Sequence, residues 1–169
     1  MPASSLAAKI QEVEERDVVV SFDGRQSPIA AELQRGVCRY LSALGHAVVT
    51  ELALANGRRA DVVGLSSGGD IWMIEIKSCL LDFQSDGKWH EYRPHCDRLY
   101  FAVAPDFPVS VLPEDAGLIL ADRFGAELMR DPSEERLPAH RRKAMLLCFA
   151  RAAALRLQHR LDPGCGIDF

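Results

Sequence analysis

The sequence lacks the features that mark several large classes of protein. Its 169 residues contain only five cysteines, an odd number without a CxxC pair. No secreted disulfide framework matches them, so we expect free thiols in a reducing compartment. No uncharged stretch approaches the roughly 18 residues that a membrane helix needs, and residues 1–16 lack the apolar centre of a signal peptide. We therefore expect a cytoplasmic protein with no membrane partner.

An excess of positive charge is also missing. Twenty Lys and Arg residues against 24 Asp and Glu give a formal net charge of -4, which argues against a generic nucleic-acid coat. The charge is uneven, however, because acidic residues dominate 61–135 and basic residues dominate 31–60 and 136–169. Carboxylates between basic flanks could bind a cation beside a polyanion; the alternative is a set of solvated faces.

The composition, with 48% hydrophobic and 26% charged residues, is typical of one soluble globular domain. We predict a single α/β domain with a mixed central sheet, flanking helices and a long C-terminal helix. Within it, residues 1–27 are expected to form an N-terminal arm, in which Val18–Val20 are a candidate edge strand. Residues 28–105 are the predicted core with the site, and residues 106–169 carry a late hairpin and the last helix.

Local signals place the main elements. Ser27 can cap a helix, Pro28 suits its first position and Gly45 can end it in a left-handed turn. The spacing predicts one buried stripe on this helix: Ile29, Leu33, Val37, Leu41 and Leu44. Strands are predicted over 47–54, 60–65, 71–77 and 99–103, with a hairpin over 118–129 and a helix over 138–160.

The hairpin at 60–77 carries the candidate chemistry. A turn centred on Gly68 would pair Asp61 with Glu75 on one face, and the two-residue side-chain period would place Lys77 on that face too. Two facing carboxylates repel each other unless a cation lies between them, so the arrangement predicts a divalent metal site. A metal-bound water beside an ammonium is suited to phosphodiester hydrolysis. A slip of one residue would move Asp61 to the opposite face.

At these residues the sequence resembles the PD-(D/E)XK nuclease superfamily, which has a restriction-endonuclease-like fold. The pattern is Arg58-Arg59-Ala60-Asp61, thirteen intervening residues, then Glu75-Ile76-Lys77; Ala60 stands where the nominal proline would be. The resemblance implies that Asp61, Glu75 and the Ile76 carbonyl bind Mg²⁺ or Mn²⁺ and that Lys77 assists the nucleophilic water. It also implies a glutamate on the first helix, for which Glu32 is the candidate, with Glu51 as a weaker addition.

A longer stretch looks like the MmcB family of bacterial DNA repair proteins. The matching residues run from Arg58 to Pro105 and include Glu75-Ile76-Lys77, Asp82-Phe83, Asp86-Gly87-Lys88-Trp89, Tyr92, Cys96-Asp97 and Tyr100-Phe101-Ala102-Val103. This resemblance implies a role in DNA repair.

Further residues allow two interpretations. Lys88, Arg58 and Arg59 are candidate phosphate contacts, although plain solvent exposure explains Lys88 equally well. Trp89 and Tyr92 could stack on bases, but we interpret them as anchors of a loop. A zinc site built from Cys79, His90, His95 and Cys96 matches no known spacing.

Three functions remain compatible with this sequence. The first is a magnesium-dependent DNA endonuclease acting on damaged or branched DNA, as a homodimer or with other repair proteins. The second is a binding module that keeps the fold without turnover and contacts DNA or a repair partner. The third is an RNA-directed or mobile-element nuclease with the same cluster.

Overall fold

The computed structural model describes residues 27–164, so the candidate edge strand at Val18–Val20 lies outside the described residues. These residues form a six-stranded sheet with helices on both of its faces. The elements are, in chain order, α1 (Pro28–Ala43), β1 (Ala47–Ala53), β2 (Arg59–Leu65), β3 (Ile71–Lys77), α2 (Leu80–Ser85), a 3-10 turn (Trp89–His95), β4 (Arg98–Val103), a second 3-10 turn (Val109–Val111), β5 (Gly117–Ala121), β6 (Ala126–Arg130) and α3 (Ala139–Leu161).

The sheet is mixed, as predicted, and its strands follow the order of the sequence. β1, β2 and β3 form an antiparallel meander, β4 and β5 continue parallel to β3, and β6 returns antiparallel. Parallel neighbours require a crossover connection, which α2 and the first 3-10 turn supply between β3 and β4. The carboxyl ends of β3, β4 and β5 therefore lie next to one another on the same side of the sheet.

Helix α1 begins and ends where its capping residues predict. The Ser27 hydroxyl accepts a hydrogen bond from the Ala30 amide at 3.1 Å, and Gly45 has a φ of +81°. Leu33, Val37 and Leu41 are buried, but the prediction was wrong for Ile29 and Leu44, which are 54% and 50% exposed. The stripe is buried only along the middle of the helix, because Ile29 lies in the first turn and Leu44 follows the last helical residue.

Each face of the sheet has its own core. On the α1 face, Leu33, Val37 and Leu41 pack with Ile74 and Ile76, among others. On the opposite face lie Met73, Phe101 and Val103 with the first 3-10 turn and α3. Side chains alternate along β3, so Glu75 and Lys77 are directed towards the α3 face.

A buried carboxylate fastens α3 to the sheet. Asp97 is 2% exposed, and its carboxylate accepts bonds from the Arg142 guanidinium at 2.6 and 2.9 Å. The Ile71 and Leu137 amides also donate to it, both at 2.8 Å. Met145 and Phe149 add apolar contacts, and Arg156 donates to two carbonyls of β1. Within residues 27–164, no helix is long and apolar enough to cross a membrane.

Candidate active site

The site residues lie where β2 and β3 separate. The two strands pair from Val62 with Ile74 to Leu65 with Ile71, which confirms the predicted register and makes Asp61 and Glu75 its next positions. At these two positions side-chain carboxylates, rather than backbone carbonyls, accept the hydrogen bonds between the strands. The Ile76 amide donates to Asp61 Oδ2 at 2.8 Å, and the Asp61 amide donates to Glu75 Oε1 at 3.4 Å. Each acidic side chain is thus held by the backbone of the opposite strand.

Burial makes this pair of carboxylates electrostatically unfavourable. Glu75 is only 2% exposed, and its burial, reinforced by the Asp61 charge, raises its pKa well above the ordinary value. Burial also raises the pKa of Asp61 to about 6, although the Ile76 amide and the Lys77 charge oppose the shift. The protein therefore concentrates negative charge here at a cost that the two hydrogen bonds do not offset.

Lys77 is buried beside the pair, but its hydrogen-bond partner is a different carboxylate. Its ammonium donates to Asp86 Oδ2, on the loop after α2. Burial alone would lower the pKa of Lys77; the Asp86 bond and charge, together with the Glu75 charge, outweigh burial and raise it. The lysine is therefore a charged group near Glu75 that Asp86 holds in place. The sequence alone predicted no such role for Asp86.

A third acidic residue, Glu51, lies on β1 opposite Asp61. It adopts a positive φ of 49°, a strained conformation for a residue with a Cβ atom. Its carboxylate bonds to Arg59 at 2.6 Å and accepts from the Gln34 amide at 3.2 Å. Gln34 also donates to the Asp61 carbonyl at 3.3 Å. Helix α1 thus reaches the site through Gln34, whereas Glu32, the residue predicted from the sequence, is exposed.

Comparisons with known proteins identify the family. The model of the MmcB-like DNA repair proteins matches residues 18–164. The chain belongs to this family. It is also similar to the solved structure of a protein of unknown function from Silicibacter pomeroyi, with 44% identity and a TM-score of 0.81. That match covers 86% of this chain and all of the other. No curated protein matches the chain.

Two of the three basic residues beside the site of this MmcB-like chain already have acidic partners. Arg58 forms a two-bond ion pair with Glu91, at 2.7 and 3.1 Å, and Arg59 is the partner of Glu51. Lys88 is exposed, and its amide bonds to Asp86. A phosphate would have to compete with carboxylates for both arginines, whereas Lys88 presents its charge at the surface. The nucleic-acid role of all three stays a prediction.

The aromatic residues after α2 belong to the core. Trp89 and Tyr92 are buried, Trp89 packs edge-on against Phe101 at 5.7 Å between ring centroids, and the Tyr92 hydroxyl donates to the Arg59 carbonyl. This confirms their interpretation as loop anchors.

In the described part of the chain, no three His, Cys, Asp or Glu side chains converge as metal ligands.

The residues that do meet suit a magnesium ion better than a transition metal. Mg²⁺ commonly uses one or two protein carboxylates and takes its other ligands from water and substrate phosphate. Asp61 and Glu75 provide such a pair of hard oxygen ligands, and their raised pKa values are what a bound cation would reverse. The Ile76 carbonyl as a further ligand stays a prediction.

Proposed function

We propose that this MmcB-like protein is a metal-dependent DNA endonuclease of the PD-(D/E)XK type, acting in DNA repair. One observation carries the proposal: two carboxylates with raised pKa values lie at the end of neighbouring strands, beside a buried, charged lysine. Perturbed ionisable groups of this kind concentrate at functional sites. The family membership supports the link to DNA repair.

In the proposed reaction water attacks a DNA phosphodiester, giving a phosphomonoester and a free hydroxyl group. Asp61 and Glu75 would hold Mg²⁺, which lowers the pKa of water and stabilises charge on the phosphate when bound. Lys77 would supply a fixed positive charge for the attacking water or the developing negative charge. Asp86 would keep Lys77 in position. Gln34, on α1, would support the Asp61 backbone through its carbonyl, and Glu51, on β1, would hold the Gln34 amide.

The experiment compares cleavage of duplex, single-stranded, forked and crosslinked DNA in Mg²⁺, Mn²⁺ and EDTA. We expect cleavage that requires the metal and is lost in Glu75→Ala and Lys77→Ala. Glu127→Gln is the matched control, because Glu127 is an exposed acid on β6. Cleavage that survives both site substitutions, or that proceeds in EDTA, would contradict the proposal. An RNA substrate of the same sequence tests the RNA-directed alternative.

A second candidate function is a DNA-binding module without turnover. It is favoured by the closed state of the site, since Glu75 and Lys77 are 2% and 4% exposed. DNA binding that is equal in Mg²⁺ and EDTA, with no cleavage of any of these substrates, would support the module over the nuclease.

A further inference from the structure

Helix α3 carries a second apolar stripe on the side that faces away from the core. Its core side is marked by the buried Met145 and Phe149. On the opposite side the residues recur at intervals of three and four: Leu147, Ala150, Ala154, Leu157 and Leu161. All five are exposed, and the leucines are 55%, 58% and 73% exposed respectively. This is the spacing with which one helix packs along another, and we call these five residues the outer stripe.

The charged side chains that α3 itself contributes have one sign. α3 contains six Lys and Arg residues and no Asp or Glu. Arg142 and Arg156 are directed elsewhere, to Asp97 and to the carbonyls of β1. Lys143 and Arg151 lie four residues before and four residues after Leu147, so they flank the stripe on the same side of the helix. The outer surface is therefore apolar with a basic border.

A groove of about 680 Å³ runs beside the first half of the outer stripe. Apolar and basic side chains line it together, among them Leu146 and Leu147 with Lys143 and with Arg136, which is paired with Glu134. A ligand that fills this groove would gain most by presenting apolar side chains and carboxylates at once.

We propose that the outer stripe of α3 binds an acidic amphipathic helix of a partner protein. A second copy of this chain is disfavoured, because a second α3 would bring the same positive charge and no carboxylate. DNA would satisfy Lys143 and Arg151 but would leave Leu157 and Leu161 without apolar contacts. A helix with leucines along one side and glutamates on both borders satisfies both requirements. This inference is independent of the proposed nuclease activity.

The test uses the full chain and a labelled synthetic peptide of about three heptads, with Leu at positions a and d and Glu at e and g. A peptide of the same composition in scrambled order is the first control. Two double variants separate the contributions: Leu147→Gln with Leu157→Gln removes apolar contacts, and Lys143→Glu with Arg151→Glu reverses the charge. Leu81→Gln is the matched control, because Leu81 is an exposed leucine on α2. Circular dichroism confirms folding, which substitutions at exposed positions should preserve.

Fluorescence anisotropy should show binding of the ordered peptide by the wild type and by Leu81→Gln. Each double variant should weaken it by on the order of tenfold or more. Equal affinity for the scrambled peptide, no binding of the ordered peptide, or full binding by the Leu147/Leu157 variant would overturn the proposal. So would sedimentation showing a wild-type dimer that the Leu147/Leu157 variant abolishes. Loss of DNA binding in the Lys143/Arg151 variant with peptide binding intact would assign the surface to DNA instead.

Discussion

Neutralising Asp61 should stabilise the metal-free protein. Burial raises the pKa of Asp61 from its ordinary 3.8 to about 6, so above that pH the folded state keeps a charge that the unfolded chain holds more easily. A difference of about 2 pH units corresponds to about 3 kcal/mol, which is a ceiling because Asp61 is not fully buried. Asp61→Asn removes this cost and keeps an oxygen that can accept from the Ile76 amide.

The pH dependence gives this prediction its sign. A carboxyl with a raised pKa favours the folded state at low pH, and that contribution is lost as the pH rises through about 6. The advantage of Asp61→Asn over the wild type should therefore be small near pH 4 and reach its full size above roughly pH 7. Urea unfolding in EDTA at several pH values measures it, with Asp106→Asn as the control because Asp106 is exposed.

Magnesium should raise the free energy of unfolding of the wild type, because it would bind the ionised carboxylates of the folded state. At pH 8 a concentration ten times Kd should raise the unfolding free energy of the wild type by about 1.4 kcal/mol, and should raise that of Asp61→Asn much less. An Asp61→Asn variant that is no more stable than the wild type at pH 8, or whose advantage does not change with pH, would refute this prediction.

Three further predictions concern the rest of the fold. Asp97→Ala should lower the unfolding free energy measured in urea by about 3–5 kcal/mol, because it strands Arg142 and two amides; a loss below about 1 kcal/mol would contradict this. Gly36→Ala should cost about 1–3 kcal/mol in the same assay, since a Cβ atom would lie 1.9 Å from the Asp122 carbonyl oxygen. Gly87→Ala, which meets open space, should change it by less than about 0.5 kcal/mol. Among the described cysteines, a thiol reagent should label the exposed Cys79 first and the buried Cys96 only on unfolding. Mass spectrometry measures the order of labelling, and labelling of Cys96 before Cys79 would contradict the prediction.

Features encoded by neighbouring residues were predictable from the sequence. The Ser27-Pro28 start and Gly45 end of α1 depend on backbone geometry within a few residues. The register of β2 and β3 follows from the length of their loop, in which Gly69 has a positive φ. Because that register fixes which side chains meet, the approach of Asp61 to Glu75 was accessible as well.

Features that depend on distant residues were not predictable. Glu51 has a positive φ in a strand, and the carbonyls at this point are bonded by Arg156, 105 residues further along the chain. Gln34, and not Glu32, contacts Glu51 and the Asp61 carbonyl, and this depends on how α1 lies over β1 and β2. The Lys77 bond to Asp86 depends on the path of the loop after α2. A single sequence has no local signal for such contacts.

The protein contains two contrasting solutions to the burial of acidic side chains. At Asp97, burial raises the pKa, but Arg142 and two amides outweigh it, so the pKa falls below its ordinary value and the charge favours folding. At Asp61 and Glu75 the same kind of burial is left largely uncompensated, and both pKa values rise. A fold that can place an arginine on one buried carboxylate gains no stability from leaving two others in mutual repulsion. The Asp61 and Glu75 pair therefore does not stabilise the folded protein, which supports the proposed cation between them.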